Sequence, residues 1–346
     1  MIDDLRSRGY TVVGPTIKNR VVRMSEISSE TDLPKGSGDE QEPGRYRMTE
    51  RGGEMMFDFA AGPDSAKRYT QPPRQALFRV RDETVEEAEP EAPSVALLGV
   101  RACDLAAIAV QDRVFLGGRH PDPVYRRRRD ALFLVAVNCA VPGGTCFCVS
   151  MGTGPRATTG FDLALTELAD PHRFLVEVGS ERGEAVARGL DRAPADEADI
   201  TAAREVSRTA AGHMGRQVDL DGVRDWLPAA HDSPRWQDVG SRCLSCTNCT
   251  MVCPTCFCTT VEDTTGFTDG AAERAEVWDS CFTLEFSETG GAPVRGSGSA
   301  RYRQWLTHKF ATWYDQFGMS GCVGCGRCVT WCPVGIDVTE ELACIR

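Results

Sequence analysis

Two stretches of the chain place cysteines at one repeated spacing: Cys243-x-x-Cys246-x-x-Cys249-x-x-x-Cys253-Pro254 and Cys322-x-x-Cys325-x-x-Cys328-x-x-x-Cys332-Pro333. Two-residue gaps let a tight loop wrap three thiolates around three corners of one cubane, the spacing of bacterial 4Fe–4S binding runs. The fourth cysteine, three residues later and followed by a turn-forming proline, points away from that cluster and ligates the other. The expectation is one 4Fe–4S cluster on Cys243, Cys246, Cys249 and Cys332, and a second on Cys253, Cys322, Cys325 and Cys328. Exchange of the last ligand then ties the halves of an internal repeat together. Structural zinc is the bland reading, and it would make the chain an assembly scaffold without a redox role. Zinc sites, however, use two separated Cys-x-x-Cys pairs. Here each run has a third evenly spaced cysteine and a Cys-Pro end.

The remaining cysteines fall in two groups. Cys139 and Cys146-Phe147-Cys148 bracket a Pro142-Gly143-Gly144 loop, and Cys103 follows an apolar run that reads as a neighbouring strand. Four thiols converging on one sheet edge can hold a third 4Fe–4S cluster, and the glycines leave room for an inorganic core and its N–H···S bonds. Zinc, a redox disulfide or simple packing are the rival readings. Cys256, Cys258 and Cys281 are extra to the eight run ligands, and fit either a further partial site or thiols packed as small hydrophobes. Cys344 stands apart near the carboxyl end.

The elements that must position these thiols read as an α/β N-terminal domain with a mainly parallel sheet (residues 1–235). An α+β two-cluster ferredoxin-like domain with a helical insertion follows (residues 236–346). Short strands are expected at 12–15 and 21–24, an exposed loop at 28–44, and a glycine-turned hairpin between 46–48 and 55–60. An acidic solvated connection is expected at 84–93. Val95–Val100 and residues 131–138 read as strands buried on both faces. Asp104 reads as the N-cap of a helix to about residue 115. A helix is expected at 160–168, a third strand at 173–179, and amphipathic helices over 181–240. In an alternating α/β pattern sites gather at the carboxyl ends of the strands, which puts Cys103 and Cys139 on one edge. Between the two runs, a helix over 302–317 carries Trp305, Lys309 and Trp313 at spacing four, a stripe read as core packing.

Composition narrows the role. Sixteen cysteines in 346 residues, with no basic-then-apolar leader at the amino terminus, read as thiols of a reducing cytoplasm that bind metal. The net charge of −11 argues against a nucleic-acid surface, and no apolar run approaches a membrane span. Gly152-Thr153-Gly154-Pro155 does not complete a dinucleotide-binding fingerprint, and no P-loop lysine is present. His120, His172, His213, His231 and His308 show no metal-ligand or nucleophile–base spacing, and Arg126–Arg129 reads as a solvated helix face.

Several segments together resemble the iron–sulfur beta subunits of cytoplasmic NAD(P)-linked NiFe hydrogenases (sulfhydrogenases). They are Gly99-Val100-Arg101-Ala102-Cys103-Asp104, Asn138-Cys139 with Cys146-Phe147-Cys148, Ser150-Met151-Gly152-Thr153-Gly154-Pro155 and Gly160-Phe161-Asp162. The run 243–258, Trp278-Asp279-Ser280-Cys281 and 321–337 complete the set, with Pro43-Gly44-Arg45-Tyr46 a weaker match. The chain is similar too to an iron–sulfur subunit of anaerobic sulfite reductases. The resemblance implies a complex in which a flavin-containing subunit handles NAD(P)H, while hydrogenase small and large subunits handle hydrogen. The beta subunit, itself without a catalytic site, carries electrons between them through its clusters.

Overall fold

A computed structural model describes residues 1–81, 84–88, 92–266 and 271–346 of the chain. The expected acidic connection at 84–93 therefore lies partly outside the described residues. The strands are β1 (Thr11–Lys18), β2 (Val21–Glu26), β3 (Ser37–Glu42), β4 (Arg45–Glu50), β5 (Arg74–Arg81) and β6 (Thr84–Glu87). They continue with β7 (Val95–Val100), β8 (Leu132–Val137), β9 (Leu163–Leu168), β10 (Arg173–Val178), β11 (Thr259–Thr265) and β12 (Ala272–Trp278).

A six-stranded sheet runs in the order β10-β9-β8-β7-β1-β2. Its central pairs, β1 with β7, β7 with β8 and β8 with β9, are parallel; β2 and β10 close the edges antiparallel. Apolar clusters cover both faces, which is why all six residues of β8 are apolar and buried. The helix Ala102–Leu116 leaves the carboxyl end of β7 and puts Cys103 in its first turn. Asp104 is not its N-cap: Arg101 is, and Asp104 sits three residues on, accepting from the Arg101 N–H at 3.3 Å.

Three local expectations change. Residues 163–168 form β9 rather than a helix. Leu, Ala and Glu favour a helix locally, but pairing with β8 on one side and β10 on the other overrides that preference. The stretch 28–44 is not an exposed loop, for it contains β3, whose Asp39 and Gln41 are buried. The hairpin is β3 with β4 around Pro43-Gly44, not 46–48 with 55–60; Gly44, at φ 70°, makes the turn.

Helices Glu181–Ala187, Glu197–Gly212, Val223–Ala229 and Arg235–Arg242 lead to the cysteine-rich part. There a second core gathers Trp236, Phe282, Tyr302, Trp305 and Phe310 against the run cysteines. A four-stranded antiparallel sheet, β11-β12-β5-β6, takes strands from both sides of residue 235. The expected helix over 302–317 begins earlier, at Gly298, capped by the Ser297 hydroxyl, and passes through a π-helical turn at His308–Thr312 before ending at Phe317.

Candidate iron–sulfur sites

Both cysteine runs fold by the same local device. The second and fourth residues after the first cysteine take left-handed backbone: Ser245 (φ 51°) and Thr247 (φ 66°), then Gly324 (φ 66°) and Gly326 (φ 76°). That path aims the Ser245 N–H at the Cys243 sulfur and the Gly324 N–H at the Cys322 sulfur, each at 3.4 Å. Each loop then enters one helical turn, Asn248–Met251 or Arg327–Thr330, which carries Cys249 or Cys328.

The last cysteines cross over. Cys243, Cys246, Cys249 and Cys332 line one cavity, with Cys328 also on its wall. Burial raises the Cys249 thiol, whose strongest charged neighbours are Cys243, Cys332 and Cys246. Burial likewise raises Cys328, whose neighbours are Cys322, Cys325 and Cys253 and then Cys249. The fold thus brings together both foursomes expected from the spacing. Cys246 is exposed while Cys253 and Cys325 are buried, so the first set reaches the surface and the second does not.

The four N-terminal cysteines also meet. Cys146 has Cys148 and Cys139 beside it, and Cys103 has Cys325 and Cys148. They close on the second run directly: the Phe147 N–H donates to the Gly324 carbonyl at 2.9 Å, and the Thr153 hydroxyl to the Val323 carbonyl at 2.6 Å. A Cβ at Gly324 would lie 2.6 Å from the Phe147 oxygen, and one at Gly326 would lie 2.6 Å from the Thr145 oxygen. Glycine is what lets the two loops touch.

Sequence reasoning passed over the charged groups that surround these thiols. Arg327, 2% exposed, pairs with Asp104 at 2.8 Å and donates to the Gly62 and Asp64 carbonyls. Arg101, equally buried, is pinned to the Phe57 and Phe59 carbonyls and reaches the Cys139 sulfur. Lys309, read as core packing, is indeed buried, but its ammonium donates to the Cys253 sulfur. The only signal for it was a cation on an otherwise aromatic stripe. Early residues contribute too: the Gly44 N–H donates to the Val329 carbonyl, and Tyr46 stacks on Trp331 beside Cys332.

Of the extra thiols, Cys256 touches Cys253 and Cys258 touches Cys281; Cys344 is exposed on the last helix, away from both pairs. The contact with Cys281 lowers Cys258 to about 7.

The donor set fits iron–sulfur cubanes. Among the described residues no group of three or more His, Cys, Asp or Glu is disposed to hold one metal ion. Ligands of a cubane sit on different iron corners and stand further apart than the four ligands of a zinc ion. Burial pushes the Cys148 and Cys322 thiols up to about 12, so without metal they stay protonated at neutral pH. Iron displaces those protons, coupling cluster assembly to the packing of these loops. Sulfur ligation with N–H···S bonds and exclusion of water suits one-electron transfer, because the charge changes while the ligands barely move.

Comparison with known proteins agrees. Residues 242–336 match the 4Fe-4S dicluster domain family, whose members hold two such clusters. Over 298 residues the chain is 35% identical to the beta subunit of sulfhydrogenase 2 from Pyrococcus furiosus, covering 85% of this chain and 86% of that one. No solved structure matches. No helix among the described residues is long and apolar enough to cross a membrane. Shared over most of both lengths, the sequence makes this chain a member of the sulfhydrogenase beta-subunit family, with a 4Fe–4S dicluster domain in its C-terminal part.

Proposed function

We propose that this chain is the electron-relay component of a cytoplasmic hydrogenase complex. It passes single electrons between the small and large subunits of a NiFe hydrogenase and a flavin-containing subunit that binds NAD(P). The observation that carries this reading is the continuity of the thiol sets. Cys249 of the first neighbours Cys328 of the second, and Cys325 of the second neighbours Cys103 and Cys148 of the third.

In this reading Cys243, Cys246, Cys249 and Cys332 hold one 4Fe–4S cluster, and Cys253, Cys322, Cys325 and Cys328 the other. Cys103, Cys139, Cys146 and Cys148 hold a third. A bound cluster supplies a one-electron couple. The chain's own residues do the rest. Ser245, Gly324 and Ile336 aim N–H groups at ligand sulfurs, and Phe147, Trp305 and Trp313 exclude water. Exposed Cys246, beside Leu244 at 62% and Val334 at 39% exposed, gives the first set an apolar edge for a redox partner. Residues 1–235 then serve as the unit for the third cluster and 236–346 as the unit for the other two.

Iron analysis and paramagnetic resonance of anaerobically purified chain test this. Three clusters require about twelve irons, and Cys103→Ala should lose about four of them. Unchanged iron in that variant removes the third cluster, and a colourless zinc-bearing protein removes the relay. The proteins that co-purify decide the partners.

A further inference from the structure

The two run-bound sites are built alike, yet the groups that touch their sulfurs differ in charge. In the first set the sulfurs receive backbone N–H groups, Ser245 onto Cys243 at 3.4 Å and Ile336 onto Cys332 at 3.3 Å. In the second, Cys253 receives the Lys309 ammonium at 3.4 Å. The same ammonium donates to the Thr255 hydroxyl and the Gly321 carbonyl, both at 3.0 Å, so its three protons are spent on three acceptors. None of those acceptors is a carboxylate, and among the described residues Lys309 forms no ion pair.

The backbone is shaped for this contact. Lys309 lies in the π-helical turn His308–Thr312 that interrupts the helix between Gly298 and Phe317. Such turns are rare and occur mainly at functional sites. Here the turn leaves the Lys309 carbonyl to accept the Gly321 N–H at 2.9 Å, which docks the approach to Cys322. The side chain runs inward at 4% exposure, its ammonium 5.3 Å from the Trp313 ring centre. A buried ammonium is costly unless an opposite charge lies close. The sulfurs around it supply that charge only when iron keeps them deprotonated.

We propose that Lys309 is a positioning residue that sets the reduction potential of the Cys253-containing cluster above that of its twin, so that an electron entering at Cys246 moves inward. The proposal rests on the ligand assignment above. One-electron reduction makes a cluster more negative by one charge, and a cation fixed at a ligand sulfur favours that state.

The test is an anaerobic redox titration of the full chain, followed by paramagnetic resonance, with iron counted in every sample. Lys309→Met should keep its iron and move one midpoint to more negative potential while the others stay. Lys309→Arg should move that midpoint back toward the wild type. Full iron content with every midpoint unmoved overturns the proposal, as does an equal shift in Met and Arg. If Lys309→Met loses iron, the wild-type ranking decides: the cluster that Cys253→Ala removes must have a higher potential than the one Cys246→Ala removes, and the reverse order overturns the proposal. Full iron in Cys253→Ala would instead sink the ligand assignment, a failure distinct from that of Lys309.

Discussion

The two cysteine runs are one loop used twice, and their contrast shows what surroundings do to a repeat. Position by position the backbone agrees: left-handed residues at 245 and 247 match those at 324 and 326, and each first cysteine receives an N–H from two residues on. The side chains differ because the neighbours differ. The first run stands at the surface, tolerates Ser245 and Thr247 in left-handed backbone, and leaves Cys246 exposed. The second lies beneath the N-terminal loop and must be Gly324 and Gly326 there. Where the first run has Asn248, donating to the Trp331 carbonyl, the second has Arg327, paired with Asp104. Identical ligand spacing therefore yields a solvent-edge site and a buried, charge-compensated one.

The largest way to break this comparison is to exchange ligands. Because the last cysteines cross, Cys332→Ala should abolish the cluster of the first run, not the second, with loss of about four irons. Resonance spectra of the reduced protein should match those of Cys246→Ala; a match to Cys322→Ala would show that each run keeps its own fourth cysteine.

Next comes the buried pair. Asp104→Asn leaves the Arg327 charge without its partner and should cost about 3–5 kcal/mol, whereas Asn248→Ala, its counterpart's loss in the first run, should cost about 1 kcal/mol. Anaerobic denaturant midpoints check both; equal costs would mean that burial does not separate the runs.

Smaller still is the backbone test. Gly326→Ala adds a Cβ that would lie 2.6 Å from the Thr145 oxygen and forces alanine into left-handed backbone, at about 2–4 kcal/mol. Thr247→Gly, at the equivalent place in the first run, relieves a β-branched residue from the same conformation. It should change stability by less than about 1 kcal/mol, in the stabilising direction. A destabilised Thr247→Gly would show that the exposed run also depends on its side chain.

Legibility follows the range of the interactions. Both foursomes, the convergence of Cys103 with Cys139, and the central parallel strands can be read from spacing and apolar runs, because ligand geometry and burial on both faces constrain residue type locally. The strand at Leu163–Leu168 reads locally as a helix because its state is set by pairing with β8 and β10. The hairpin of β3 and β4 is hidden because Asp39 and Gln41 look like loop residues until Ala60 and Thr330 are brought to them. Lys309, Arg101 and Arg327 read as packing or pass unnoticed, since a lysine or arginine carries no local mark of being buried beside sulfur.

What the amino-acid order settled alone was the chemistry: thiolates spaced for cubanes, doubled, with a third group at a strand edge. That much is local, because a loop of four to eleven residues determines which sulfurs can face one core. Only the tertiary structure decided which site meets solvent, which glycines are forced, and where the buried cations lie. Those depend on contacts between residues as distant as Lys309 and Cys253 or Arg327 and Asp104, and the strength of a charge depends on how far water is kept from it.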